Sequence, residues 1–302
     1  MPQILTILLT TIAPIVLVAG LGVLLNKWKR IETNGLSTIV VYIGSPALAF
    51  YSIATSAIGA DELSELVLFA ILCVVIITLV GWLITVGAGM DRLTSSAFVL
   101  STALVNGINY GVPLNEFAFG QPGLARAIIV GVIFALYSFS VGVFLASWGK
   151  ASARQAFINM VKIPLPYAAI LGLVVNLTHT PVPPLVLRFS QILGGLAIPL
   201  MLLLLGIQIS QVSLQGQWRL MFGASMMRLL GGAAIGLLLA FWLGLEGVNS
   251  QVAIVEAAMP TAVTAGVLAI EFNSDARLVS GIIMLSTLLS LLTLPFIIML
   301  VA

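Results

Sequence analysis

The stretch Asn106-Gly107-Ile108-Asn109-Tyr110-Gly111-Val112-Pro113-Leu114-Asn115 brings three amides, two glycines and a proline together between apolar flanks. A second interruption, Glu256-Ala257-Ala258-Met259-Pro260-Thr261 followed by Thr264, lies in the other half of the chain. In hydrocarbon every backbone donor and acceptor needs an internal partner, so a helix stays regular unless its break lines a protected cavity. Proline removes its own N–H and displaces the carbonyl four residues earlier; those carbonyls belong here to Asn109 and Glu256. A broken helix exposes an N-terminus, whose free N–H groups and positive dipole end suit an anion. It also exposes a C-terminus, whose carbonyls suit a cation or proton. The chemistry on offer is reversible binding of a small charged ligand.

The candidate ligand-binding set is Asn106, Gly107, Asn109, Tyr110, Gly111, Pro113, Pro260, Thr261 and Thr264, with Glu256 the candidate for a coupling ion or proton. Each carries a plainer alternative. Asn106–Asn115 also reads as a kinked helix whose amides cross-link to neighbours. An acid at the centre of a membrane helix costs roughly 2.5–3.5 kcal/mol and marks an ion or proton pathway. Glu256 read nearer the outer interface is simply hydrated. Thr261 and Thr264 face the site or bond their own backbone. Asn115 and Glu116 read as solvated residues at the outer end of a span, and Asn26 and Asn176 as helix-end caps. No catalytic residue and no metal site is expected. The single histidine, His179, lies in a Pro-rich turn, Cys73 is the single cysteine, and no H-E-x-x-H or P-loop pattern occurs.

The elements that position these residues are membrane helices. Of the 302 residues, 61% are hydrophobic and 7% charged, against roughly 25% charged in soluble domains. A span needs about 20 apolar residues, so the chain holds roughly ten, with no room for a soluble domain. Apolar runs and polar punctuation place them near 4–25, 34–57, 64–89, 95–118, 124–148, 163–178, 184–210, 217–244, 250–270 and 276–301. The first run leads into Lys27, Lys29 and Arg30 and reads as a retained span, not a cleaved signal.

With the N-terminus outside, inward loops carry Lys27, Lys29, Arg30, Arg92, Lys150, Arg154, Lys162, Arg219, Arg228 and Arg277, and outward ones carry Arg126 and Arg188. The positive-inside rule then places both termini on the non-cytoplasmic side of a plasma (inner) membrane. Trp28, Trp148 and Trp218 fall beside inward loops as interfacial anchors. Ala151–Met160 reads as a short amphipathic helix on the cytoplasmic surface. The scattered basic residues give no sign of a nucleic-acid partner.

The two halves resemble each other. Pro14, Gly22 and Asn26 match Pro164, Gly172 and Asn176; Ser37 and Pro46 match Ser190 and Pro199; Asn109 and Pro113 match Glu256 and Pro260; Gly131 and Ser140 match Gly281 and Ser290. The offsets stay between 147 and 153, which reads as two five-span repeats. Because five is odd, the second enters the membrane from the opposite side. The expected division is 1–148 for the first repeat, 149–162 for a cytoplasmic linker and 163–302 for the second, inverted repeat. Inverted repeats with paired broken helices imply a secondary transporter whose site lies near the bilayer midplane.

The chain resembles the auxin efflux carrier family. The likeness rests on Asn106-Gly107-Ile108-Asn109-Tyr110-Gly111-Val112-Pro113, Ala197-Ile198-Pro199-Leu200-Met201-Leu202-Leu203-Leu204-Leu205-Gly206, Ala258-Met259-Pro260-Thr261-Ala262-Val263 and Ser286-Thr287-Leu288-Leu289-Ser290-Leu291-Leu292-Thr293-Leu294-Pro295, in family order. The resemblance implies an all-α integral membrane protein of ten transmembrane helices in two inverted five-helix repeats. It implies a scaffold and a transport domain, with the fourth and ninth helices crossing at Pro113 and Pro260. It further implies an elevator-type motion, a small organic anion as substrate (an auxin-like carboxylate or a dicarboxylate) and a homodimer formed through the scaffold. No cofactor is expected, and a proton or sodium gradient is the candidate energy source. The alternatives are a cation/proton antiporter and a sodium-coupled organic anion symporter of related fold. Such antiporters carry a buried aspartate pair at the crossing, where this sequence offers amides.

Overall fold

The computed structural model describes residues 3–147, 154, 158, 161–211 and 217–302, and these are helical apart from turns and short extended segments. The expected surface helix at 151–160, the linker at 149–162 and the Trp148 anchor fall largely or wholly outside the described residues. In chain order the helices are α1 (Ile4–Lys29), α2 (Thr33–Ala54), α3 (Ala60–Gly87), α4 (Arg92–Ala103), α5 (Gly107–Ala146), α6 (Pro164–Leu177), α7 (Pro184–Ser210), α8 (Trp218–Leu243), α9 (Gly247–Ala257), α10 (Val263–Glu271) and α11 (Ala276–Val301).

Seven of these, α1, α2, α3, α5, α7, α8 and α11, are each long and apolar enough to cross a membrane, and the chain is a multi-pass membrane protein. Three of the other four are short for a physical reason. Helices α4, α9 and α10 have 12, 11 and 9 residues, well under the about 20 a span needs, because each ends or begins at an internal break. Helix α5 has the opposite character. Its 40 residues would run about 60 Å if straight, twice the hydrocarbon thickness. It bends at Gly120, whose φ of 65° and ψ of −157° no helix accommodates, with Pro122 following two residues on. The sequence places a span boundary between 118 and 124, and this kink falls there.

Local chemistry sets the other ends. Asp91 caps α4, its carboxylate accepting from the N–H groups of Leu93 (3.0 Å) and Thr94 (3.2 Å). Asp275 caps α11 by accepting from Leu278 N–H at 3.0 Å. Asn26 closes α1, accepting from Ile31 N–H and donating to Ser210 of α7 at 2.8 Å. Outward-facing side chains are apolar, with Leu17, Phe241 and Trp242 at 68%, 88% and 75% exposure, as a lipid-facing surface requires.

The helices pack in two groups. In one, α1 lies against the second half of α7, and α2 against α6 and α7. In the other, α3, α4, α5, α8 and α9 pack together, with α11 against α4, α8 and α10. The α1–α7 contact is backbone to backbone: a Cβ on Gly22 would overlap the Leu203 carbonyl, and one on Gly206 the Ala19 carbonyl. Without a hydrophobic drive between helices in lipid, such small-residue crossings let van der Waals packing hold them together. Gly206→Val is therefore expected to destabilise the protein by about 1–3 kcal/mol through overpacking. The thermal unfolding midpoint in detergent reads this, and an unchanged midpoint would refute so close a crossing.

Candidate functional site

The two breaks meet. After Ala103 the chain turns extended at Leu104 (ψ 115°), and after Ala257 it leaves the helix until Val263. Val105 and Thr261 form an antiparallel bridge, in which Asn106 N–H donates to the Pro260 carbonyl and Ala262 N–H to the Leu104 carbonyl, both at 2.9 Å. Each break thus supplies the partners that the other lacks, which is how non-helical backbone survives at membrane depth. The position differs from the expectation based on Pro113. Asn106–Pro113 is mostly helical, and the extended residues lie ahead of it. Gly107–Gly111 forms one wide π-helical turn, with Gly111 N–H donating to Asn106 C=O at 3.0 Å and Val112 N–H to Gly107 C=O. Regular α-helix resumes at Val112, with Pro113 in its first turn, where a missing N–H costs no helical bond. Glu256 C=O, expected to be freed by Pro260, accepts from Met259 N–H at 3.2 Å.

The crossing has two unlike sides. On one lies a cavity of about 190 Å³, lined by Val105, Asn106, Ile108 and Asn109 from the first break and by Ala262, Val263 and Thr264 from the second. The first turns of α5 and α10 both border it, so two helix N-termini, with their positive dipole ends, share one small space. Asn106 is buried, and its Nδ2 has no partner. The remaining wall is Ser37, Val41 and Ser45 of α2, Gly131, Ala135, Ser138 and Phe139 of α5, Leu165 of α6, Gln208 and Val267, with Ile163 just before α6. The cavity therefore lies between the two packing groups, and its wall carries no charged side chain. Ser37, Ile163 and Gln208 stand near the helix ends on the side of Lys29, Arg30 and Lys162. An anion of small size with an apolar body is the ligand these groups suit.

Glu256 stands on the other face of the Gly107–Gly111 turn, away from the cavity. It is fully buried, which removes the reading as a hydrated interfacial acid. A Cβ on Gly107 would come within 2.7 Å of Glu256 Oε2, and one on Gly111 within 2.7 Å of its Cδ. Glycine at these two positions is what admits the carboxyl. Asn115 Nδ2 donates to Glu256 Oε1 and to the Gly111 carbonyl, both at 2.9 Å, while Glu256 Oε2 and Asn115 Oδ1 have no partner. The solvated position expected for Asn115 is thus incorrect: it is wholly buried. Eight residues from the break, on α5, its amide reaches back across the π turn to the acid of the opposite half.

Arg228 is the residue that sequence counting misplaced. Placed with the inward loops, it is in fact wholly buried within α8. Its Nη1 donates to Thr102 C=O at 2.7 Å, its Nε to Met259 C=O at 3.0 Å, and its Nη2 to Ala257 C=O. These are the carbonyl ends of α4 and α9. A charged arginine at the membrane centre costs roughly 2.5–3.5 kcal/mol on insertion scales, and carbonyl acceptors on this many sides offset it. The usable signal was its isolation: between Leu220 and Leu245 it is the single charged residue, which marks an intramembrane charge with a partner to find.

The expected binding set divides accordingly. Asn106, Asn109 and Thr264 line the cavity. Pro260 and Thr261 form the crossing itself, with Thr261 Oγ1 donating to Ser101 C=O at 2.8 Å and its N–H to Ser286 Oγ at 3.2 Å. Gly107 and Gly111 face Glu256, Pro113 is buried behind them, and Tyr110 is buried beside Ser290, whose hydroxyl reaches its phenol at 3.3 Å. Ser138 and Gln208 are cavity residues that sequence reasoning passed over. Gln208 occupies a regular helical stretch, and Ser138 opens a π-helical turn, Ser138–Gly142, that no residue pattern announces.

A family model described as membrane transport protein matches residues 150–298. An uncharacterized transporter of Methanothermobacter thermautotrophicus is 30% identical over 269 residues, covering 87% of each chain. A second uncharacterized transporter, from Methanocaldococcus jannaschii, is 26% identical over 292 residues and covers 92% of each.

Proposed function

Since the chain belongs to the auxin efflux carrier family of membrane transport proteins, we propose that it is a secondary active transporter of a small organic anion, held at the crossing of its two broken helices. The observation that carries this reading is the convergence of two helix N-termini and the unpartnered Asn106 amide on one cavity of about 190 Å³. These groups neutralise one carboxylate through N–H donors, and Ile108, Phe139 and Val263 meet an apolar body. With no cationic side chain in the wall, a monocarboxylate is favoured over a dicarboxylate.

The same reading takes the architecture as ten spans in two inverted repeats, residues 1–148 and 163–302 joined by 149–162. What supports it is the pairing of breaks at Val105 and Thr261 and the division of α5 at Gly120. The group of α1, α2, α6 and α7 acts as scaffold, the remainder as transport domain. The cavity at their boundary is where an elevator movement would shift the site across the membrane. With Arg228 removed from the loops, nine basic residues remain inward against Arg126 and Arg188 outward. That balance supports a plasma-membrane protein with both termini non-cytoplasmic, its cavity reaching toward the cytoplasm.

Uptake of a panel of mono- and dicarboxylates into proteoliposomes tests the assignment. Saturable transport of a monocarboxylate is expected, and absence of any carboxylate flux in folded protein would sink it. Glu256 is retained as the proton-coupling residue. A Glu256→Gln protein is expected to lose its response to an imposed pH gradient, and a full response would remove Glu256 from that role.

A further inference from the structure

The negative side of the crossing is chemically as specific as the cavity side. Three carbonyl oxygens, from Thr102, Ala257 and Met259, converge where α4 and α9 end. Terminal helix carbonyls lack helical donors and carry the negative end of the dipole. In transporters built on broken helices, such carbonyls and C-terminal ends coordinate sodium or a proton. Here the guanidinium of Arg228 stands among them. It donates through Nε, Nη1 and Nη2 to three carbonyls from two different breaks, and among the described residues no carboxylate forms an ion pair with it. The surrounding helix is shaped for this side chain. Met227–Gly231 is a π-helical turn, and a Cβ on Gly232 would overlap both Arg228 Nη2 and the Ala257 carbonyl.

We propose that Arg228 is the crossing's resident cation, a positioning residue that occupies the carbonyl set a sodium ion would otherwise take. Because arginine stays charged and is tethered to α8, it cannot be exchanged between the two sides of the membrane. No sodium gradient is then coupled through these carbonyls. For the transporter reading, on which this consequence rests, the sodium-symporter alternative falls away, and the positive charge behind the N-terminal ends travels with the site. Charge without exchange is what distinguishes this arrangement from an ion site.

The test is the thermal unfolding midpoint of the full chain in detergent, at constant ionic strength, with sodium, lithium, guanidinium (at non-denaturing concentration) or choline as the cation. The wild-type midpoint is expected to be the same in sodium, lithium and choline; a sodium-specific rise overturns the proposal. Arg228→Ala is expected to lower the midpoint in choline and to recover part of it in guanidinium or sodium, as a free cation enters the carbonyl set. Equal midpoints in all four salts overturn the proposal, since a merely structural side chain would not be replaced by an ion. Where the alanine protein yields no folded material, Arg228→Lys decides. Its shorter ammonium cannot span all three carbonyls, so a lowered midpoint that guanidinium raises supports the proposal, and a lysine variant whose midpoint equals that of the wild-type protein, or is lowered and not raised by guanidinium, overturns it. None of these readings needs a transported substrate, so they stand or fall separately from the anion assignment.

Discussion

Asn106→Ala is expected to reduce carboxylate uptake by roughly ten- to hundredfold while leaving the unfolding midpoint unchanged or slightly raised. The two halves of that expectation have one cause. The Asn106 side chain is buried with an Nδ2 that nothing in the protein satisfies. A buried donor without a partner costs about 1–3 kcal/mol, and alanine removes that cost. A carboxylate entering the cavity supplies the acceptor, and a hydrogen bond to a charged group is worth about 1.5–3 kcal/mol, which converts to the fold-change stated. Asn109→Ala, across the same helix N-terminus, is expected to abolish uptake with folding intact. Asn106→Asp places a like charge at the proposed anion site and is expected to do at least as much harm as alanine. Proteoliposome uptake and detergent midpoints measured on the same preparations check all three. Full transport by the asparagine variants would move the binding site away from the crossing.

Much of this arrangement is legible in the sequence, because membrane helices forbid irregularity that has no partner. Two prolines with amides and an acid at matching places in the two halves point to the neighbourhoods of the breaks, although the first break lies ahead of Asn106–Pro113 and not at Pro113. The apolar runs give the helices, and Gly120 with Pro122 lies where the gap between two runs was expected. What the sequence does not give is direction around the helix. Asn106 and Asn109 face the cavity while Gly107 and Gly111 face Glu256, and a π turn shifts that register in a way no residue pattern announces. Asn115 and Arg228 were misplaced for a related reason. Each was assigned to a solvated end by its polarity, whereas a polar side chain in a membrane protein also goes to the interior when backbone carbonyls or an acid await it. The acceptors for Arg228 lie 126, 29 and 31 residues away along the chain, and sequence distance conceals such partners. Ser138 and Gln208 stand in the cavity wall only because separate helices meet there.

Gly111→Ala tests the other face of the same turn, and here two physical effects oppose each other. Within a helix, alanine is favoured over glycine by about 1 kcal/mol, so propensity alone forecasts a more stable protein. Packing forecasts the reverse, since a Cβ at this position would stand within 2.7 Å of Glu256 Cδ in a fully buried contact. Overpacking of that kind costs about 1–3 kcal/mol and is expected to win, lowering the midpoint. Relief by backbone movement would push the Gly107–Gly111 turn toward the cavity, where Ile108 and Asn109 stand, so uptake should fall as well. The double variant Gly111→Ala with Glu256→Ala removes the carboxyl that the new methyl meets. Residues in contact couple by about 0.5–3 kcal/mol, and the double variant is expected to be more stable than the sum of its single changes. Its Asn115 keeps an acceptor in the Gly111 carbonyl, so the amide does not confound the cycle. A Gly111→Ala protein with a raised midpoint, or a cycle showing simple additivity, would mean that Glu256 does not pack against this turn. The acid would then have no structural route to the groups proposed to hold the anion.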